Sequence, residues 1–374
     1  MILPGKTIGI LGGGQLGRMT GQAARSLGYG FVVFEPQANS PAGQVADLEI
    51  NASYEDETAL QKFADAVDII TYEFENVSAE ALQFLSSRKT VFPKAECLYI
   101  CQNREREKKF LQENSFPCAP FEIIESAQDL GKAIEKIGRP SVLKTADFGY
   151  DGKGQMKIKD EPYEAEKIWD CFGLGRAVLE KWMDFEMEIS VMVAIGSNGG
   201  TCSFPVSENI HANHILDYSL APARIDSNVR KDAESLAKEI ASTLEIVGLL
   251  GVELFVLKDG SLAVNELAPR PHNSGHYTID ACVTSQFEQF VRAVCGLPLG
   301  SVDQHRPVAM VNILGDAWSG KEPGFSELLK SDDAKLHLYG KAEPRPGRKM
   351  GHFCVFGEDT SDAFERAKKL KATI

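Results

Sequence analysis

Between Leu249 and His276 the chain reads LLGVELFVLKDGSLAVNELAPRPHNSGH, and no other stretch limits its fold as tightly. Two apolar runs, 249–257 and 261–265, flank a Lys-Asp-Gly turn, a pattern that predicts a β-hairpin. Each run carries one acid where alternation places an inward-facing residue: Glu253 on the first strand and Glu266 at the end of the second, with Asn265 beside it. Read alone, these are equally two solvent-facing acids on an exposed turn. If the strands pair, two carboxylates face each other in a semi-apolar groove and raise each other's pKa unless a cation lies between them. Hard oxygen donors, an Asn carbonyl and no thiolate suit Mg²⁺, which commonly accompanies nucleotide phosphates. Arg270, His272, Asn273, Ser274 and His276 follow at once, a run dense in groups that read anions. Metal acids followed directly by such a loop imply an enzyme that spends ATP on a second substrate.

At 374 residues the chain exceeds one ordinary core, so two or three domains are expected. No apolar run approaches the roughly 18–20 residues a membrane span needs. The N-terminus lacks a charged region and cleavage site, and Lys6–Leu11 reads as a strand rather than a leader. A formal net charge of -13 argues against nucleic acid as a partner, though not against small anions held in a local basic pocket. Cysteines 97, 101, 118, 171, 202, 282, 295 and 354 form no Cys-x-x-Cys pair. They are expected to be reduced, buried thiols of a cytoplasmic protein.

Residues 6–95 alternate strand and helix patterns: strands at 6–11, 31–34, 67–70 and 90–92, helices at 15–28, 55–65 and 78–87. Repeated βα units predict a doubly wound parallel sheet. In the first turn Gly12, Gly14 and Gly17 match Gly-x-Gly-x-x-Gly, and Glu35 closes the second strand. A dinucleotide, a phosphorylated substrate, or no ligand at all is compatible with that turn. Glu73, Glu75 and Asn76 fall at a strand's carboxyl end, where open α/β sheets bind ligands, and Glu73 could bond a substrate amine or hydroxyl.

Residues 94–114 read as two helices joined near Asn103, the second with its charges expected on a solvated face. After a Pro-marked boundary at 117–120 comes a second α/β unit, whose strand 141–145 holds Lys144 in an apolar run. An ammonium there needs a partner such as an ATP phosphate. FGYDGKGQ follows, with glycines 149, 152 and 154, a loop able to cover phosphates with backbone N–H groups. Strand 177–180 leads to Lys181-Trp182, an extended segment suited to an adenine edge. In the alternating strand 185–193, Glu186 and Glu188 share a face, and Glu188 is a candidate for ribose hydroxyls. His211 is a candidate nucleotide or substrate contact. Helices at 229–245 and 284–295 bracket the hairpin. The tail is expected to hold strands at 308–314, 335–338 and 352–356 and a helix at 359–372. Its loop YGKAEPRPGRKMGH concentrates Lys341, Arg345, Arg348 and Lys349, where a phosphate monoester would be drawn.

ILGGGQLGRM, TYEFENV, FGYDGKGQ, NELAPRPHNSGH and YGKAEPRPGRKMGH together resemble the ATP-grasp superfamily, and within it the ATP-dependent carboxylases of purine biosynthesis. The resemblance spans the chain and implies an α/β fold, α+β overall. Residues 1–100 would form a Rossmann-like pre-ATP-grasp substrate domain and 101–297 an ATP-grasp domain with a lid at about 117–185. Residues 298–374 would form a small C-terminal domain. It implies a reaction of ATP, bicarbonate and aminoimidazole ribonucleotide, with Mg²⁺, in a homodimer.

By the same resemblance Arg104 and Lys144 would hold phosphates, and Gly149, Tyr150, Asp151, Gly152, Lys153, Gly154 and Gln155 would be the closing loop. Glu180, Lys181 and Trp182 would border adenine, Glu188 would bind ribose and His211 would touch nucleotide. Glu253 and Glu266 would ligate Mg²⁺ beside Asn265. Glu73, Tyr150, Lys153, Arg270, His272 and Asn273, with Lys144, would serve the chemistry. Gly14, Gln15, Leu16, Glu73 and Asn76 would meet the ribonucleotide, with Lys341, Arg348 and Lys349 at its phosphate. Two other ATP-grasp ligases, a formate-using transformylase and a biotin carboxylase, share the metal acids but not the basic tail loop. A nicotinamide-dependent dehydrogenase would use GGGQLG and Glu35 and leave Glu253 and Glu266 without a task. A non-catalytic nucleotide-binding regulator would bind ATP without turnover.

Overall fold

The structure, a computed structural model, describes residues 1–147, 154–159, 163–173, 175–320 and 322–374. Thr7–Leu11 lies inside a four-stranded parallel sheet, between Gly30–Phe34 and Ile69–Tyr72, with the short strand Leu48–Ile50 outermost. The crossovers run through Gln15–Ser26 and Glu57–Asp65, as repeated βα units require. Three details differ from the sequence reading. The strand expected at 67–70 lies two residues later, so Glu73 stands immediately past its end. The strand expected at 90–92 reduces to one parallel bridge, Ile70 to Val91, because Pro93 has no N–H to extend the ladder. Leu48–Ile50 went unread because three half-exposed residues carry too little alternation.

Helices Ala95–Cys101 and Arg104–Glu113 lead to a four-stranded antiparallel sheet ordered Phe121–Ile124, Ala177–Lys181, Ser141–Thr145, Gln155–Ile158. Next comes a large antiparallel sheet, nine-stranded among the described residues. The hairpin Gly248–Leu257 and Leu262–Ala268 forms one edge and pairs through Gly248–Leu257 with Phe185–Ile195. Beyond it come Ser207–Ala212 and Ile215–Ala221. The tail does not build a sheet of its own. Val308–Leu314 pairs with Ile215–Ala221, then Lys349–Phe356 and Ala334–Leu338 add on, so the basic loop is carried on the same sheet as Glu253 and Glu266.

The N-terminal unit is fastened by Leu16 and Met19 of its first helix, packed on Phe287 and Tyr339. Burying side chains of that size contributes roughly 1.5–3 kcal/mol each, before ordering costs. The contact brings the Gly-rich turn to the large sheet. Among the described residues no helix is long and apolar enough to cross a membrane. All eight cysteines are unpaired, but only Cys97, Cys282, Cys295 and Cys354 are buried. Cys171 is exposed and Cys101, Cys118 and Cys202 are half-buried, which corrects the expectation that the thiols lie inside.

Candidate active site

The hairpin register sets Glu253 directly opposite Glu266. A bulge follows, since Leu254 pairs with Val264 and leaves Asn265 unopposed. Directly opposed residues share a face, so the two carboxylates meet, and the Asn265 amide stands 3.5 Å from Glu253. Burial and the facing Glu266 push the Glu253 carboxyl well above its ordinary range. His272 Nε2 lies 3.1 Å from Glu253 Oε1. One donor atom each from Glu253, Glu266 and His272 falls within 4.8 Å of the others. Two opposed carboxylates in a buried groove repel unless a proton or a cation lies between them, and their hard oxygens fit Mg²⁺. Burial and the Arg270 guanidinium pull the His272 ring well below its ordinary pKa.

Beside the acids lies a cationic cluster. Lys144 Nζ is 2.9 Å, Lys108 Nζ 3.7 Å and Arg104 NH1 3.9 Å from the Glu180 carboxylate. Against the desolvation of burial, these three cations hold Glu180 at about 2. Glu107 and Glu266 also face Arg104, and Glu107 faces Lys108, so the three cations are shared among three carboxylates; Arg104 and Lys144, on the cavity wall, are the two that a polyphosphate can reach. The Glu180 side chain faces these cations at the edge of a cavity.

The helix Arg104–Glu113 also departs from expectation: Glu105, Glu107 and Lys108 are buried rather than solvated. Lys108 is wholly enclosed and donates to the Asn265 carbonyl at 3.0 Å. Glu107 accepts the Leu267 N–H at 2.8 Å. Sequence reasoning missed both residues, although Arg104, Lys108 and Leu111 are spaced four and three apart on one helix face.

A cavity of about 430 Å³ runs between the four-stranded antiparallel sheet and the hairpin. Lys144, Gly154, Gln155, Glu180, Lys181, Trp182, Glu188, His211, Glu253, Asn265 and Glu266 line it. Glu188 sits 3.3 Å from His211, whereas Glu186 is exposed and outside the lining. Trp182 is capped by Lys157 Nζ, 3.4 Å from its ring centre. Gly154 takes φ +70, and its carbonyl accepts the Thr145 N–H at 2.8 Å. Gly149, Tyr150, Asp151, Gly152 and Lys153 lie outside the described residues.

A second cavity, about 370 Å³, is lined by Gly14, Gln15, Leu16, Glu73, Asn76 and Arg270. Arg104, Thr145, Glu266, His272, Asn273 and Lys349 line both cavities. Asn273 is 7% exposed, and neither atom of its amide has a partner, so the amide is set for a ligand at that junction. Arg270 Nε pairs with Glu75 at 2.5 Å. Lys341 donates to the Lys349 carbonyl at 2.7 Å, just behind the wall. Arg348 donates instead to the Glu343 carbonyl at 3.0 Å and lines neither cavity.

The Gly-rich turn is already occupied by the protein's own acids. Glu73 accepts the N–H groups of Gly14 and, at 2.6 Å, Gly17, while Glu35 accepts that of Gly13 at 2.9 Å. A Cβ on Gly14 would meet the Glu73 carboxylate at 2.5 Å. The helix terminus that would hold a dinucleotide pyrophosphate is therefore taken, which removes the dehydrogenase reading.

Three family models match: "Ribonucleotide synthetase preATP-grasp domain" over 5–102, "ATP-grasp domain" over 109–287, and "Phosphoribosylaminoimidazole carboxylase C-terminal domain" over 308–366. With the opposed acids and the cationic cluster, they define an ATP-grasp ligase. The N5-carboxyaminoimidazole ribonucleotide synthase of Bacillus subtilis (strain 168) is 49% identical over 352 residues, 94% of this chain and 92% of the relative. A crystallised ADP complex of such a synthetase superposes with TM-score 0.93 at 45% identity, over 99% of this chain and 97% of the other. The synthase of Aspergillus clavatus, crystallised with ADP and 5-aminoimidazole ribonucleotide, gives TM-score 0.89 at 30% identity over 98% of each chain. The chain belongs to the N5-carboxyaminoimidazole ribonucleotide synthase family.

Proposed function

We propose that the chain carboxylates 5-aminoimidazole ribonucleotide with ATP and bicarbonate, giving 5-(carboxyamino)imidazole ribonucleotide, ADP and phosphate in purine biosynthesis. The observation that carries this is the shared wall: two cavities meet along Glu266, His272, Asn273, Arg104 and Lys349. A phosphorylated intermediate made in one can be consumed in the other without crossing bulk water.

Bicarbonate is a poor electrophile. An oxygen of it attacks the γ-phosphorus of ATP, the bond to the ADP oxygen breaks, and carboxyphosphate forms. Catalysis here is positioning and charge neutralisation, supplied by Arg104 and Lys144 on the cavity wall around the phosphates, with Lys108 enclosed behind them. Glu253 and Glu266 would hold Mg²⁺, which when bound neutralises phosphate charge. Carboxyphosphate hydrolyses readily, so making it at the wall shared by the two cavities shortens its path to the acceptor. The exocyclic amine of the ribonucleotide then attacks the carboxyl carbon, or carbon dioxide released from it. Phosphate leaves and the amine gives up a proton.

Several roles rest on placement. Lining position supports Lys181 and Trp182 at adenine, Glu188 at ribose and His211 beside it. It also supports Gly14, Gln15, Leu16, Glu73 and Asn76 at the ribonucleotide, with Arg270 and Asn273 near the reacting groups. Lys349 is the better placed phosphate ligand, with Lys341 behind it. Unpaired thiols agree with a cytoplasmic setting, and a homodimer follows from the resemblance alone. The domain limits 1–100, 101–297 and 298–374 remain this reading's proposal.

The test is ADP release by purified protein with Mg-ATP and bicarbonate, with and without aminoimidazole ribonucleotide. Release that depends on the ribonucleotide supports the reading. Release indifferent to it removes the purine acceptor, and no release removes the ATP site.

A further inference from the structure

One side chain holds both backbone polar groups of His272 yet lines neither cavity. Gln286 opens the helix Gln286–Cys295 and is wholly buried. Its Oε1 accepts the His272 backbone N–H at 3.0 Å, and its Nε2 donates to the His272 carbonyl at 2.8 Å. The second Nε2 proton reaches His276 Nδ1 at 3.0 Å. The carboxamide therefore bonds the loop as a neighbouring strand would, and adds a third tie at the loop's far end.

The orientation of this amide has one solution. A backbone N–H only donates and a backbone carbonyl only accepts. A reversed amide would set its NH₂ against the His272 N–H and its oxygen against the His272 carbonyl. No carboxylate takes part in these bonds. The mount is rigid as well. Ser285 caps the helix by accepting the Glu288 N–H at 3.1 Å, and Phe287 and Phe290 behind it are buried. Thr278 Oγ1 accepts the Gln286 backbone N–H at 2.9 Å and donates to the Gly275 carbonyl at 2.6 Å, so Gly275 is tied to the same residue. A Cβ on Gly275 would meet Gln286 Oε1 at 2.7 Å, so the loop seats on the amide only with glycine there. Burial keeps water from replacing any of these bonds.

Between the two ends of the clamp stands Asn273, whose side-chain amide has no bonded partner and which lines both cavities. With nucleotide in one cavity and ribonucleotide in the other, the one-carbon unit that passes between them lies where they meet. Bicarbonate has a hydroxyl to donate and oxygens to accept, which matches a carboxamide. We propose that Gln286 is a positioning residue: it holds the 272–275 loop so that the Asn273 amide meets bicarbonate. The inference rests on the carboxylation reading above.

The experiment measures ribonucleotide-dependent ADP release by full-length variants at varied bicarbonate in buffer freed of carbon dioxide, with backbone hydrogen exchange followed by mass spectrometry. Gln286→Met keeps the length and loses both donations and the carbonyl acceptor. Displacing a positioned group by about 1 Å costs up to about a hundredfold. The KM for bicarbonate should accordingly rise about tenfold or more, with the KM for ATP within twofold of wild type. Segment 270–277 should exchange faster while the N-terminal sheet exchanges as in wild type. Gln286→Glu keeps the shape and the acceptor but can make at most one of the two donations. It should move both readouts the same way, and it serves if the methionine variant does not fold. A KM for bicarbonate within twofold of wild type in folded variants would overturn the proposal. So would faster exchange spread evenly over the chain with kcat lowered and every KM unchanged, the mark of a merely structural role. Asn273→Ala separates the proposal from the reading beneath it, and should raise the KM for bicarbonate at least as far as Gln286→Met. If it does and the Gln286 variants do not, the role of Gln286 alone is struck. If Asn273→Ala leaves that KM unchanged, the bicarbonate reading of Asn273 falls and takes the proposal with it.

Discussion

Lys108 donates to the backbone carbonyl of Asn265 at 3.0 Å, tying the helix that carries Arg104 to the strand that carries Glu266. The bulge after Glu253 leaves Asn265 unopposed, and a fully enclosed ammonium reaches its carbonyl. The same ammonium lies 3.7 Å from Glu180, so one side chain links the strand of Glu266 to the carboxylate that Arg104 and Lys144 also face.

Lys108→Met should therefore destabilise the fold and the site together. It leaves the Asn265 carbonyl unpaired and Glu180 with two cations instead of three. Removing one partner of a buried charge cluster costs about 3–5 kcal/mol. The expected result is a lower denaturation midpoint and a KM for ATP raised about tenfold, with the KM for ribonucleotide changing less. A midpoint and KM equal to wild type would show that the contact is idle.

Glu266→Gln should separate stability from activity. Without metal, replacing one of two facing carboxylates removes their repulsion, so the melting temperature in chelator should equal or exceed that of wild type. Turnover should fall by at least a hundredfold and Mn²⁺ binding should weaken in parallel. Unchanged turnover would sink the metal assignment.

The Glu188–His211 pair should give the nucleotide cavity a pH dependence. Burial opposes charge on His211, yet the hydrogen bond and charge of Glu188 raise its pKa above the ordinary histidine value. A raised folded-state pKa stabilises below the unfolded value, and that stability is lost as pH rises through the folded value. Wild type should thus lose stability relative to Glu188→Gln between the ordinary histidine pKa and the raised one. Denaturant midpoints of both proteins from pH 5 to 9 give the comparison, and parallel curves would exclude the pair as the cause.

Lys349→Ala and Arg348→Ala should differ although they are neighbours. Lys349 lines both cavities, and Arg348 is engaged with the Glu343 carbonyl outside them. The KM for aminoimidazole ribonucleotide should rise about tenfold or more in the first and under threefold in the second, from steady-state ADP release. The reverse order would move the substrate phosphate toward the outer loop.

Glu73→Ala removes the acceptor for Gly14 and Gly17 N–H groups. Loss of such a cap costs roughly 0.5–2 kcal/mol. The melting temperature should drop slightly and the KM for ribonucleotide should rise while that for ATP holds. An unchanged KM for both would take Glu73 out of substrate binding.

The sequence by itself determined the hairpin, the placement of Glu253 and Glu266 on it, the βα alternation at the N-terminus, and the loops that carry recognition groups. These follow from periodicity and turn chemistry within a few residues, where backbone hydrogen bonding is local or between adjacent strands. Only the tertiary structure decided which charges are buried and which nitrogen or carbonyl each one faces. Lys108 and Asn265 are 157 residues apart, Glu107 and Leu267 are 160, and Glu73 and Gly14 are 59. A charged side chain on a helix reads as solvated until a distant segment covers it. Likewise a Gly-x-Gly-x-x-Gly turn reads as a phosphate site until a carboxylate from another strand fills it. That Lys349 and not Arg348 lines the cavities arises the same way, because only the joining of the tail strands to the large sheet turns one of the two toward them. Burial and electrostatic pairing depend on what packs against a residue, and that is fixed by contacts no local window contains.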